Sequence, residues 1–189
     1  MVRGSNTQKT ILNLAEALLQ DKGYNGFSYA HISTALDVKN AAIHYHFATK
    51  EDLIRAVVKR YRDRFQLWVN NARVKDLSPE AKLDWFFSIN DFRAESGKVC
   101  LVGSLEAEFN AIPDGLRQEA QALNTELLTW LVDTLNEGRA AGVFHFGGSA
   151  ESKAALILSS VQGALQMARA LGPQTFYDVV EQNKQDLLA

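Results

Sequence analysis

The stretch SYAHISTALDVKNAAIHYHFATKEDL, residues 28–53, decides the fold. It reads as two short apolar helices around a tight turn, an aromatic-histidine cluster, and a third helix with its own cap. Ile32, Ala35 and Leu36 recur at helical spacing on one face, and Ser28 stands where an N-cap hydroxyl belongs. A second short helix begins near Lys39. Only Asp37 to Lys39 separate the two, and so short a link sets consecutive helices at a sharp angle, as in a helix-turn-helix. Asp at position 37 tolerates the left-handed conformation that such a turn needs. Thr49 and Asp52 then spell a T-x-x-D capping box, which opens a helix expected to run to about Ala72.

Working outward, Ile11, Leu14, Ala15, Leu18 and Leu19 form an i, i+3, i+4, i+7, i+8 stripe that Gly23 ends. Further helical stretches are expected over about 79–94, 101–110, 114–141, 150–171 and 174–187. Pro79, Pro113 and Pro173 each fall near a helix start, where a missing amide hydrogen matters least. Strand alternation is nowhere sustained, although VFHF at 143–146 is ambiguous. The expectation is an all-α protein of about nine helices, divided into an N-terminal three-helix helix-turn-helix head (1–55) and a C-terminal helical body (56–189).

With 189 residues and 47% apolar content, the chain can bury a real core in one or two domains. Net charge is −2, unevenly spread: through Arg62 the balance is +4, and beyond it −6. A basic head on an acidic body suits nucleic-acid binding by the head. The opening MVRGSNTQKT is polar, and the apolar stretch from Ala154 to Leu171 carries Gln162, Gln166 and Arg169, so neither an export signal nor a bilayer span is expected. A single cysteine leaves no internal disulfide. A cytoplasmic protein without membrane contact is expected.

From about Thr7 to Tyr61 the chain resembles the N-terminal domain of the TetR/AcrR transcriptional regulators, whose pattern runs roughly V-S-x-G-x-[LI]-Y-x-[HY]-F-x-x-K-E-x-L. The matching stretch here is VKNAAIHYHFATKEDL, in which Val38, Ile43, His46, Phe47, Lys50, Glu51 and Leu53 agree with spacing intact. Asp37, Lys39, Ala41 and His44 depart from it. The resemblance implies a homodimeric repressor that binds a pseudo-palindromic operator in double-stranded DNA and releases it when a small-molecule inducer fills the body.

In the head, Lys39, Asn40 and Ala42 occupy the N-terminal part of the reader helix, the part that reaches base edges. Asn can bond adenine, Lys can reach guanine and an Ala methyl can rest on a thymine methyl, and the sequence does not assign which of them does so. His44 and Tyr45 resemble the family's backbone-contacting aromatic pair; Tyr45 is expected to donate to a phosphate, and His44 either to do so or to pack between helices. His46 and Phe47 read as packing residues. Lys50 lies in a first helical turn, where the dipole disfavours a cation unless a phosphate is bound there. Ser28 offers a hydroxyl for capping, for phosphate, or for both.

His44 and His46 stand two apart on a helix with no further ligand nearby, so no metal site is expected. No nucleophile-elbow or phosphate-loop signature is present, so neither catalysis nor a cofactor is expected. In the body, Trp85, Phe86, Phe92, Phe109, Trp130 and Met167 are candidates to line an inducer pocket, with Gln162 as a polar contact, and core packing is the plainer role for most. Leu158, Val161, Gly163, Leu165 and, on the last helix, Val180 are candidates for a four-helix dimer interface, with closure of the monomer core as the alternative. Cys100 sits at an expected helix start near Lys98, a setting for a reactive thiol or for inert packing. A thiol-sensing repressor and a helical ligand-binding protein without DNA affinity are the competing readings.

Overall fold

The computed structural model describes residues 2–188. In chain order the helices are α1 (Val2–Lys22), α2 (Tyr29–Leu36), α3 (Asn40–His46), α4 (Lys50–Val69), α5 (Ala72–Lys75), α6 (Pro79–Ser88) and α7 (Asp91–Glu95). They continue with α8 (Leu101–Ala107), α9 (Asp114–Ala140), α10 (Ala150–Leu171) and α11 (Gln174–Leu188), and a 3-10 turn over Phe109–Ala111 precedes α9. Among the described residues there is no strand.

The count exceeds nine because two expected helices are interrupted where asparagines compete for backbone partners. The stretch 79–94 breaks after Ser88: the buried Asn90 turns its amide onto the Phe86 carbonyl at 3.2 Å, and Arg93 Nη1 donates to the Ile89 carbonyl at 2.7 Å. The helix from Lys50 stops at Val69 rather than near Ala72. There Asn70 Nδ2 donates to the Gln66 carbonyl at 2.9 Å, and Asn71 Oδ1 accepts the Arg73 amide at 2.9 Å. The ambiguous VFHF segment is a loop, its His145 amide donating to the Leu187 carbonyl at 2.7 Å. Gly138 leaves room for the buried Phe144 ring, which a Cβ at that position would overlap.

Contacts group the chain into two compact units, one made of residues up to Phe65 together with Leu101–Leu123, the other of Gln66–Cys100 with Asn124 onward. In the first, Ile11, Ala15 and Leu19 of α1 are fully buried with Ile32, Ile43, Leu53, Ile54 and Val57. The inner face of α2 is carried by Tyr29 and Ile32, and Ala35 is exposed rather than packed. Glu16 of α1 accepts from Arg60 at 2.5 Å and from Arg64 at 2.8 Å, both on α4. Ser104 of α8, itself buried, donates to the Leu19 carbonyl at 2.6 Å, which also accepts the Gly23 amide at 3.0 Å.

In the second unit α10 and α11 pack together: Leu158, Val161, Leu165, Phe176, Val180 and Leu187 are buried. Each such large side chain contributes roughly 1.5–3 kcal/mol. Asn183 Nδ2 donates to Ser160 Oγ at 2.9 Å within that seam.

Candidate nucleic-acid interface and candidate ligand cleft

Asp37 closes α2 in the left-handed conformation, φ 52° and ψ 47°, as its tolerance for that region predicts. Three residues later α3 begins. Ile43 and Phe47 turn inward, 0% and 5% exposed, so the opposite side of the helix faces out. Lys39, Asn40, Ala41, His44 and Tyr45 all lie on that side, and Tyr45 is 85% exposed. Ala42 is half-buried between the two faces.

A forked tyrosine bond holds this helix in place. The Tyr29 hydroxyl shares its one proton between the carbonyls of Thr49 at 2.6 Å and Phe47 at 3.0 Å, tying the end of α3 to the cap of α4. Burial, with the Asp52 carboxylate nearby, pushes the Tyr29 phenol up to about 12. The capping box forms as expected: Thr49 N donates to Asp52 Oδ2 at 3.1 Å and Asp52 N to Thr49 Oγ1 at 3.0 Å.

The histidines divide by the role of Nδ1. His44 packs its ring edge-on against Tyr29, centroids 4.7 Å apart, and its Nδ1 lies 3.1 Å from the Ala48 carbonyl. A carbonyl only accepts, so Nδ1 carries a proton and donates to it. Of the two roles expected for His44, packing is the one the geometry serves. His31 has the reverse arrangement: its Nδ1 accepts the Ser28 amide at 3.0 Å and lies 3.1 Å from Ser28 Oγ. Its Nε2 therefore carries the proton, on an exposed residue in the first turn of α2. Sequence reasoning missed His31, because a histidine three residues after an N-cap gives no sign that it will replace the usual Glu of a capping box. Ser28 itself is exposed beside it.

Lys50 departs from its expected role. Its ammonium donates to the carbonyls of Tyr24 and Phe27 and lies over both of their rings, 4.5 and 4.3 Å from the centroids. Desolvation, partly offset by the Glu108 carboxylate, lowers its pKa. Rather than facing a phosphate, Lys50 braces the loop between α1 and α2.

The body candidates scatter. Trp85 stacks on Trp68, centroids 3.2 Å apart and planes within 7°, with Trp130 edge-on at 5.4 Å from Trp68. Phe86 is buried 5.7 Å from Trp130. Phe92 and Met167, expected in a pocket wall, are 69% and 49% exposed. Phe109 lies half-buried in the 3-10 turn of the first unit, and Cys100 is buried just before α8. Gln162 is half-buried with no acceptor for its Nε2. Sequence reasoning also missed a cleft of about 200 Å³ lined by Val69, Val74, Lys82, Trp130, Thr134 and Glu137, with Lys75 and Asp133 at its rim.

The expected interface residues Leu158, Val161, Leu165 and Val180 are already buried within the single chain. They serve its core, because the inner stripe of α10 faces α11. A second stripe on α10 is exposed: Leu156 at 55%, Met167 at 49% and Leu171 at 68%, with Gly163 in open space. Among the described residues no group of His, Cys, Asp and Glu could hold a metal ion, and no helix is long and apolar enough to cross a membrane.

Comparison with known proteins places these features. A family model described as bacterial regulatory proteins, tetR family, matches residues 11–57, and one described as tetracyclin repressor-like, C-terminal domain, matches residues 84–183. A TetR-family transcriptional regulator from Agrobacterium tumefaciens superposes with a TM-score of 0.90 at 29% identity, covering 98% of this chain and 100% of that one. A TetR transcriptional regulator from Legionella pneumophila is 34% identical, with a TM-score of 0.83 over 96% and 97% of the two chains. The HTH-type transcriptional repressor DhaR of Mycobacterium sp. (strain GP1) is 22% identical over 77% of this chain and 73% of its own length.

Proposed function

Because the chain belongs to the TetR family of bacterial regulatory proteins, we propose that this DNA-binding transcriptional regulator is a homodimeric repressor that leaves its operator when a small molecule enters the body. Residues 1–55 act as the DNA-binding head and 56–189 as the ligand-binding and dimerisation body. The observation that carries the reading is the outward face of α3, where Lys39, Asn40 and Tyr45 stand exposed above a buried Ile43 and Phe47. Lys39 and Asn40 open the helix where base edges are read, and the Tyr45 hydroxyl reaches for a phosphate oxygen. Ser28 and the His31 Nε2–H supply two more donors at the start of α2.

A pseudo-palindromic operator needs two heads. The exposed apolar stripe of α10 favours pairing with a second copy, since burying Leu156, Met167 and Leu171 removes their surface from water. Ligand then acts by population shift, favouring a head spacing that no longer fits successive major grooves about 34 Å apart. The thiol-sensing alternative is weakened by the burial of Cys100.

The test is binding to the DNA upstream of the chain's own gene, titrated across salt concentration. A steep log–log loss of affinity with salt is expected. Asn40→Ala is expected to change preference at one base position per half-site, by about 1–3 kcal/mol. Salt-independent or absent binding would leave a helical ligand-binding protein.

A further inference from the structure

Lys82 is buried, 8% exposed, and it lines the cleft between the end of α4, α5, α6 and α9. Its ammonium donates to both oxygens of Glu137, at 2.8 and 2.6 Å. The two partners are not equally committed. The Lys82 side chain is 10% exposed, whereas that of Glu137 is 48% exposed. Glu137 can therefore turn to solvent at small cost, while Lys82 cannot leave and needs an anion wherever Glu137 goes.

Apart from Thr134, and from Lys75 and Asp133 at the exposed rim, the rest of the wall is apolar or aromatic. Val69, Val74 and Trp130 face the same space, and Trp130 leads into the stack of Trp68 and Trp85, which brings all three tryptophans of the chain together. The Thr134 hydroxyl is occupied by the Trp130 carbonyl at 2.9 Å. At about 200 Å³ the cleft holds roughly seven water volumes and falls below the ~300–1,000 Å³ of pockets for drug-sized ligands. It suits one ring and one small charged group, and not a lipid chain.

We infer that this cleft binds a small aromatic carboxylate, its ring against Trp130, Val69 and Val74 and its carboxylate replacing that of Glu137 on Lys82. The choice of sign follows from burial. A cationic ligand seated at Lys82 would take Glu137 from it and leave a buried ammonium without a counter-ion, and the other carboxylate of the cleft, Asp133, stands at the exposed rim where pairing is worth little. An anion exchanges one carboxylate for another and sends Glu137 into water. The inference rests on the reading that the body takes a small molecule, and it names the chemical class and the residue that selects it.

The test titrates the full chain with benzoate and phenylacetate, with benzylamine and benzyl alcohol as cationic and neutral controls, and reads tryptophan emission. A saturable change is expected for the two carboxylates and not for the controls. Lys82→Gln is expected to weaken binding roughly tenfold or more through loss of a charge-assisted bond. Glu137→Gln removes the competing carboxylate and is expected to strengthen binding several-fold. That second variant keeps the test decisive if Lys82→Gln fails to fold. Preferential binding of benzylamine, no saturable signal from either acid, or an affinity unmoved by Glu137→Gln would overturn the proposal. Operator affinity is measured in parallel. Acid binding without DNA release keeps the cleft and sinks the inducer reading; release by another compound without acid binding does the reverse.

Discussion

Glu108 and Gly23 are fitted to one another. Gly23 adopts φ +76° just after α1, and a Cβ there would overlap Glu108 Oε1. The same carboxylate accepts the Asn25 amide at 2.9 Å and Asn25 Nδ2 at 2.5 Å. The loop from α1 to α2 thus depends on a residue 85 positions later in the chain. Gly23→Ala meets left-handed strain of about 1–2 kcal/mol and displaces Glu108 from Asn25 as well. A loss of at least that size in denaturant unfolding is expected; a neutral result would mean that the loop re-forms without these bonds.

Lys50 serves the same loop from below. Lys50→Ala removes two donors and two ring contacts, so a lower melting temperature is expected. The slope of log affinity against log salt should stay unchanged, since no phosphate contact is lost. A slope reduced by about one unit would return Lys50 to the DNA surface.

Tyr29 links folding to alkaline pH. The folded chain holds the phenol proton more tightly than the unfolded chain, with a pKa of about 12 against an ordinary 10.0. The stability this linkage supplies is full below pH 10 and is lost as pH rises toward 12. Tyr29→Phe leaves the Phe47 and Thr49 carbonyls without this donor, at a cost of about 1–2 kcal/mol near neutrality. It should also flatten the decline in stability above pH 10. An unchanged alkaline slope would assign that decline to other groups.

On α10 the exposed stripe proposed for assembly can be tested apart from the buried one. Leu156→Asp is expected to give a folded monomer with weakened operator binding, read by sedimentation and far-ultraviolet dichroism. Leu165→Ala, inside the core, is expected to cost about 2–5 kcal/mol of stability. A Leu156→Asp protein that remains dimeric would move the interface off this face.

What the sequence revealed was local. The Thr49–Asp52 box, the three-residue turn and the left-handed Asp37 each depend on neighbours a few residues away, so residue type and spacing suffice to read them. Direction was harder. Both stripes of α10 are apolar at helical spacing, and periodicity alone cannot say which one meets α11, so Leu158 and Leu165 read as an interface and Leu156 went unnoticed. Lys50 was aimed outward because the carbonyls that hold it belong to Tyr24 and Phe27, more than twenty residues back. Nothing in the sequence singles out Lys82, since lysines usually lie at the surface, and only its burial and its bidentate pairing with Glu137 on α9 mark it as a buried charge.

The first compact unit is discontinuous, and that bears on how the chain matures during synthesis. The helices of the head leave the ribosome first, yet Leu19 waits for the hydroxyl of Ser104, Asn25 for the carboxylate of Glu108, and Arg62 for Glu119, which accepts from it at 2.8 Å. Until α8 and the first turns of α9 have emerged, the head carries an open apolar flank where Leu101, Leu105 and Leu116 belong. Its completion is therefore a late, long-range event rather than an early local one. A fragment cut after α4 would stay in that nascent condition for good.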